Sequence, residues 1–161
     1  MYKIAAVCLL LCASAFGQSK ETAKAAEVPS AALMQKIIAA WNTDDPANAA
    51  RFYDKSSDDV FFDITPLEYR GWAAYEAGVK QQFAGFENLK FKLNNDEQVH
   101  HAGSTAWATA TWEADGKMKN GNKVSLEGRW TVIWEKKAGK WLIVHEHFSA
   151  PWIPPSEMRQ R

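Results

Sequence analysis

From Phe91 to Ser149 the chain consists almost wholly of segments in which apolar residues alternate with polar ones, and only short glycine-bearing breaks separate them. Phe91–Val99, Thr105–Ala114, Lys123–Glu135 and Lys140–Ser149 carry this period of two, the period of a strand with one covered face. Gly103, Asn120-Gly121 and Gly139 occupy the breaks, where a residue tolerant of left-handed backbone can turn one strand back on the last. Breaks this short make neighbouring strands antiparallel.

Ahead of the sheet the period changes. In "PSAALMQKIIAAWN" Leu33, Ile37, Ala40 and Trp41 recur at helical spacing, with Pro29 or Ser30 at the start. "DPANAARFY" predicts a second helix, with Asp45 as cap, Pro46 in the first position and Phe52 and Tyr53 at its close. "DDVFFDITP" is a short strand: Val60, Phe62 and Ile64 take one face, and Phe61, Asp63 and Thr65 the other. Gly71 then turns into a third helix, with Trp72, Tyr75, Val79 and Phe83 along one stripe. The order α-α-β-α-β-β-β-β predicts an α+β domain: a curled antiparallel sheet with three helices on one side and a cavity between the layers.

A chain of 161 residues with 47% hydrophobic and 24% charged residues suits one globular domain, here residues 29–152. Residues 1–17 differ: Lys3, an apolar run from Ile4 to Leu11 and the small residues of "ASAFG" predict a secretory signal peptide. Residues 18–28 read as a flexible lead, and residues 153–161 as a proline-bearing tail that cannot continue a central strand. The expected location is therefore outside the cytoplasm, periplasmic or secreted in a bacterium, with no membrane attachment after cleavage. Both cysteines, Cys8 and Cys12, fall in the signal segment, and Leu11 before Cys12 disfavours lipidation. Cleavage would leave no thiol for a disulfide, a metal or a nucleophile. Without Lys3 the 19 basic residues become 18 against 19 acidic ones, a balance that excludes the basic footprint of a nucleic-acid binder.

The chemistry-bearing feature is "WLIVHEHFSAPW". Alternation places Trp141, Ile143, His145, His147 and Ser149 on one face and Leu142, Val144, Glu146 and Phe148 on the other. A three-residue turn in "KKAGK" sets Arg129 opposite His147 and Thr131 opposite His145. A two-residue turn at Asn120-Gly121 adds Trp112 opposite Arg129, and Ala106, Ala108 and Ala110 on the histidine face. Those small residues predict a half-empty concave surface there. Trp107, Trp130, Val132 and Trp134 would then cover the outer face, an apolar area suited to a second copy of the chain.

Two stretches carry a family resemblance: "DDVFFDITPLEYRGWAAY" and "RWTVIWEKKAGKWLIVHEHFSAPW". With the leading helices they resemble, from about Ser30 to Trp152, the SnoaL-like branch of the nuclear transport factor 2 superfamily, which includes ketosteroid isomerases. The resemblance implies a cone-shaped α+β fold, usually dimeric, with an elongated pocket between a strongly curved antiparallel sheet and three helices on its concave side. It implies little about chemistry, because members isomerise, dehydrate, hydrolyse, cyclise, bind or assemble.

Seven residues follow as candidates. His145 and His147 form an acid/base pair or polar pocket walls, with Asp63 as a third catalytic candidate, either a base raised by burial or a carboxylate neutralised by Arg129. Arg129, Tyr69, Trp112 and Thr131 are the ligand-binding candidates. An inward guanidinium needs an anion, supplied by Asp63 or Glu146 or by a bound carboxylate. Two histidines lack the third ligand a zinc site requires, since Asp63, His100 and His101 sit at no diagnostic spacing, so neither metal nor cofactor is expected. The sequence thus predicts an exported domain, dimeric through its outer sheet face, that takes a small, partly apolar molecule with an anionic group as one option. Turnover and simple binding both remain open.

Overall fold

The computed structural model describes residues 27–152. The signal peptide at 1–17, nearly all of the segment 18–28 and the tail 153–161 lie outside the described residues. Helix α1 spans Ala31–Trp41, and the Ser30 side chain caps it by accepting from the Leu33 amide at 3.2 Å. Its buried stripe is Leu33, Met34, Ile37, Ile38 and Trp41. The expected second helix forms instead as two consecutive 3-10 turns, Pro46–Asn48 and Ala50–Phe52. Asp45 does cap the first turn, but Tyr53 leaves the helical path to form a bridge with Ile143. Helix α2 covers Gly71–Phe83 and buries Trp72, Tyr75 and Val79.

The strands are β1 Val60–Phe62, β2 Tyr69–Arg70, β3 Phe86–Leu93, β4 Gln98–Ala102, β5 Thr105–Met118, β6 Lys123–Lys137 and β7 Lys140–Ser149. They form one curved, open sheet in the order β2-β1-β7-β6-β5-β3, with β4 also on β5. All pairs are antiparallel except β1 and β7, which run parallel, so the sheet is mixed. The single strand expected over Phe91–Val99 divides into β3 and β4, both on the same edge of β5. Asp96 fills the gap between them: its carboxylate accepts from the Thr111 amide at 2.9 Å and the Thr111 hydroxyl at 2.7 Å. That satisfies the β5 backbone where the ladder changes partner.

Two turn lengths differ from expectation, and they decide which residues face inward. Between β5 and β6 the loop is three residues, Lys119 to Gly121, so Trp112 pairs with Gly128 and Ala110 with Trp130. This one-residue shift exchanges the faces. Ala106, Ala108, Ala110 and Trp112 point inward together with Trp130, Val132 and Trp134, all buried under the helices. Gly128 makes this packing possible, because a Cβ there would stand 2.4 Å from the Trp112 ring and 2.1 Å from the Ser149 carbonyl oxygen. Between β6 and β7 the turn has two residues, Ala138 and Gly139, both at positive φ. A bulge at Val144, opposite the Ile133–Trp134 step, adds one further residue. Ile143 is therefore inward before the bulge, and Glu146 and Phe148 are inward after it.

Candidate functional site

The helices do not fill the concave face. A cavity of about 220 Å³ lies between α1, α2 and the inner surface of the sheet. Ile38 and Trp41 come from α1, Val79 and Phe83 from α2. Phe86, Leu89 and Phe91 of β3, with Leu126 and Phe148, complete the apolar wall. An engineered cavity of about 150 Å³ admits benzene, so this one has room for a single ring with substituents.

The polar end is built where β1 stops. Phe61 is fully buried, and alternation turns Asp63, two residues on, to the same inner side. Asp63 Oδ1 accepts from the Ile64 amide at 2.7 Å, and Oδ2 from Gln82 Nε2 at 3.3 Å. Burial raises the Asp63 pKa above the ordinary carboxylate range, while those two donors oppose the shift. Gln82 is seven residues after Tyr75, on the inner stripe of α2. Its Nε2 also lies 2.9 Å from the Tyr69 hydroxyl and 2.5 Å from the Thr65 carbonyl oxygen. Thr65 stands exposed at the rim.

Behind the wall is a buried carboxylate that the alternation argument had on the outer face. Glu146 is completely buried, and three side chains from distant parts of the chain donate to it. Tyr75 and Tyr53 hydroxyls reach Oε1 at 2.6 and 2.8 Å, and the Trp130 indole reaches Oε2 at 3.0 Å. Trp41 donates in turn to the Tyr53 hydroxyl at 3.0 Å. Burial pushes the Glu146 carboxyl up to about 7 against the pull of its three donors. The Tyr53 and Tyr75 hydroxyls rise well above 10, through burial first and the neighbouring carboxylate second. Tyr75 belongs to both sets, lining the cavity and resting on Glu146.

The predicted residues divide between the two faces. Asp63 lines the cavity, and Tyr69 is joined to it through Gln82, at a shallow cleft shared with Thr65 and Gly78. Trp112 does not line the cavity but backs it, its ring 5.6 Å from Phe91 and 6.0 Å from Phe148. His145, His147, Arg129 and Thr131 do share one face, as expected, but it is the outer one. His147 and Arg129 are exposed, and His145 and Thr131 are half-buried. The Phe62 ring stands 5.2 Å from His145 and 5.5 Å from His147, and His145 Nδ1 donates to the Val60 carbonyl oxygen at 2.7 Å. An anion in the cavity therefore cannot be anchored by Arg129 or by either histidine. The expected pairing of Arg129 with Asp63 or Glu146 fails for the same reason, because the sheet separates them. The indole-rich outer face is corrected too: Trp130, Val132 and Trp134 are core, and only Trp107, 40% exposed, looks outward. Among the described residues no group of three or more His, Cys, Asp or Glu side chains is placed to hold a metal ion.

Sequence reasoning missed Gln82, and it considered Glu146 only as a partner for Arg129. Gln82 carried a weak signal, three residues beyond Val79 on the α2 stripe. Glu146 carried none that survived the wrong turn length.

Comparison with known proteins agrees with this architecture. A family model described as a SnoaL-like domain matches residues 31–153. A solved structure from Xanthomonas campestris, named as a calcium/calmodulin-dependent protein kinase II association domain, is 26% identical over 78% of this chain and 86% of that one, with a TM-score of 0.64. A nuclear transport factor 2-like protein from Salmonella enterica is 23% identical over 76% of this chain and 91% of that one, with a TM-score of 0.67. A structure from Streptomyces avermitilis, named as a dehydratase of the same superfamily, is 16% identical over 76% and 94% of the two chains, with a TM-score of 0.65. No curated protein matches the chain.

Proposed function

Because the chain belongs to the SnoaL-like domain family, we propose that its cavity binds a small, mainly apolar ring compound and that Asp63 moves a proton on it, in an isomerisation or dehydration. One observation carries this reading: among the described residues Asp63 is the only ionisable carboxylate, amine or imidazole lining a mainly apolar cavity, and burial raises its pKa. A carboxylate whose pKa burial has raised is a stronger base than an exposed one, which suits a group that takes a proton from its ligand. Two solved neighbours named as dehydratases share the fold, which supports the same class of chemistry by analogy alone. The test is deuterium exchange in D2O, followed by NMR on cyclic hydroxyketones that bind, which carry both a hydroxyl donor and acidic carbon-bound hydrogens. Wild type should exchange a carbon-bound hydrogen and Asp63→Asn should not; a bound compound that never exchanges contradicts turnover.

A second reading, binding or assembly without turnover, draws on the neighbours named as association domains. It also draws on the outer face, where Trp107 joins half-buried Val60, Phe62 and Ile133. Pairing of two copies through that face belongs to either reading. Export directed by residues 1–17 completes the proposal and is checked by N-terminal sequencing of the mature protein.

A further inference from the structure

We propose that the cavity selects ring compounds bearing a hydrogen-bond donor, such as phenols, alcohols or amines, over carboxylates and over plain hydrocarbons. This rests on reading the cavity as the ligand site, and it follows from where the polar hydrogens around it point. Tyr75 gives its hydroxyl hydrogen to Glu146, and Trp41 gives its indole N–H to Tyr53. The Ile64 amide points at Asp63 Oδ1. Gln82 Nε2 carries two hydrogens and has three protein oxygens within reach, from Asp63, Thr65 and Tyr69. Thr65 stands at the rim, open to water.

What faces the cavity is therefore acceptor. A carboxylate offers about four lone-pair sites, and protein donors reach two of those on Asp63. The Tyr75 oxygen keeps lone pairs as well. Among the described residues no lysine, arginine or histidine lines the space. A carboxylate ligand would meet Asp63 with no counter-charge, and a carbonyl ligand would find its oxygen unpaired in an apolar wall. A ligand O–H or N–H instead completes the coordination of Asp63 in a region shielded from water, where a charge-assisted hydrogen bond is strong. The amine case adds charge complementarity.

Three isosteric probes test this by titration calorimetry of the whole chain at pH 8, where phenols are neutral. They are p-cresol, p-xylene and p-toluate. The expected order is p-cresol at least tenfold tighter than p-xylene, with p-toluate weakest. Asp63→Leu should remove the advantage of p-cresol over p-xylene, and circular dichroism checks that the variant folds. Equal or tighter binding of p-xylene, or a preference for p-toluate, overturns the selectivity and leaves the pocket standing. Failure of all three probes to bind overturns the pocket reading, and the selectivity with it.

Discussion

Glu146 is the residue with the largest predictable effect outside the cavity. Its carboxyl titrates near 7 in the folded protein against an ordinary 4.5. A raised native pKa means that the folded state binds the proton more tightly than the unfolded chain does. The stabilisation is thus complete below pH 4.5 and is lost as pH rises through 7, by about 3 kcal/mol at about 1.36 kcal/mol per unit. Urea unfolding of wild type from pH 4.5 to 8 should show this fall, and Glu146→Gln should flatten it; an unchanged slope in the variant contradicts the assignment. Asp63 shifts in the same direction and adds a smaller term that survives in the variant. Asp63 was legible in the sequence because strand alternation from Phe61 fixes its side. Glu146 was not, because its donors sit at positions 53, 75 and 130, and no local pattern joins them.

At the scale of elements, the turns rather than the strands limited what could be read. Strand periods and order were clear, yet one residue more in the β5–β6 loop and one bulge in β7 set which face is inside. The histidine, arginine and threonine group was gathered on one face as expected, but Arg129 stands opposite Ser149 and Thr131 opposite His147, and the face is the outer one. Helix α2 gives a test at this level. A Cβ at Gly78 would stand 2.1–2.4 Å from the Tyr69 ring, which lies across the helix and accepts from Gln82. In an exposed helix Gly→Ala stabilises by about 1 kcal/mol. Here Gly78→Ala should destabilise by about 1–2 kcal/mol through displacement of the ring. In a Tyr69→Ala background the same substitution should stabilise. Thermal melts of the four proteins give the sign, and stabilisation in both backgrounds contradicts the contact.

For the whole molecule, the family was legible through the resemblance of two quoted stretches, and the α+β architecture through the hydrophobic period, which survives any error of register. The contents of the cavity were not, since they depend on how the helices pack against the sheet. The outer face carries the prediction at this scale. Trp107 is its most exposed large side chain, stacked on His100 at 5.4 Å and beside Ile133 on the next strand. A glutamate at the centre of a buried apolar interface is strongly unfavourable. If two copies pair through this face as proposed, wild type sediments as a dimer and Trp107→Glu as a monomer in sedimentation velocity, with p-cresol affinity within twofold. A variant that sediments as wild type rules this face out as the interface.

The account as a whole turns on which side of the sheet meets the ligand. Methyl-resolved NMR of the labelled protein titrated with p-cresol reads this directly, because the two faces carry different methyl groups. Ile38, Val79 and Leu89 line the cavity, whereas Val60 and Ile133 lie beside the histidines. Saturable shifts confined to the first three are the predicted result. Shifts at Val60 and Ile133 with the cavity methyls unmoved would return the site to His145, His147 and Arg129 and contradict the account.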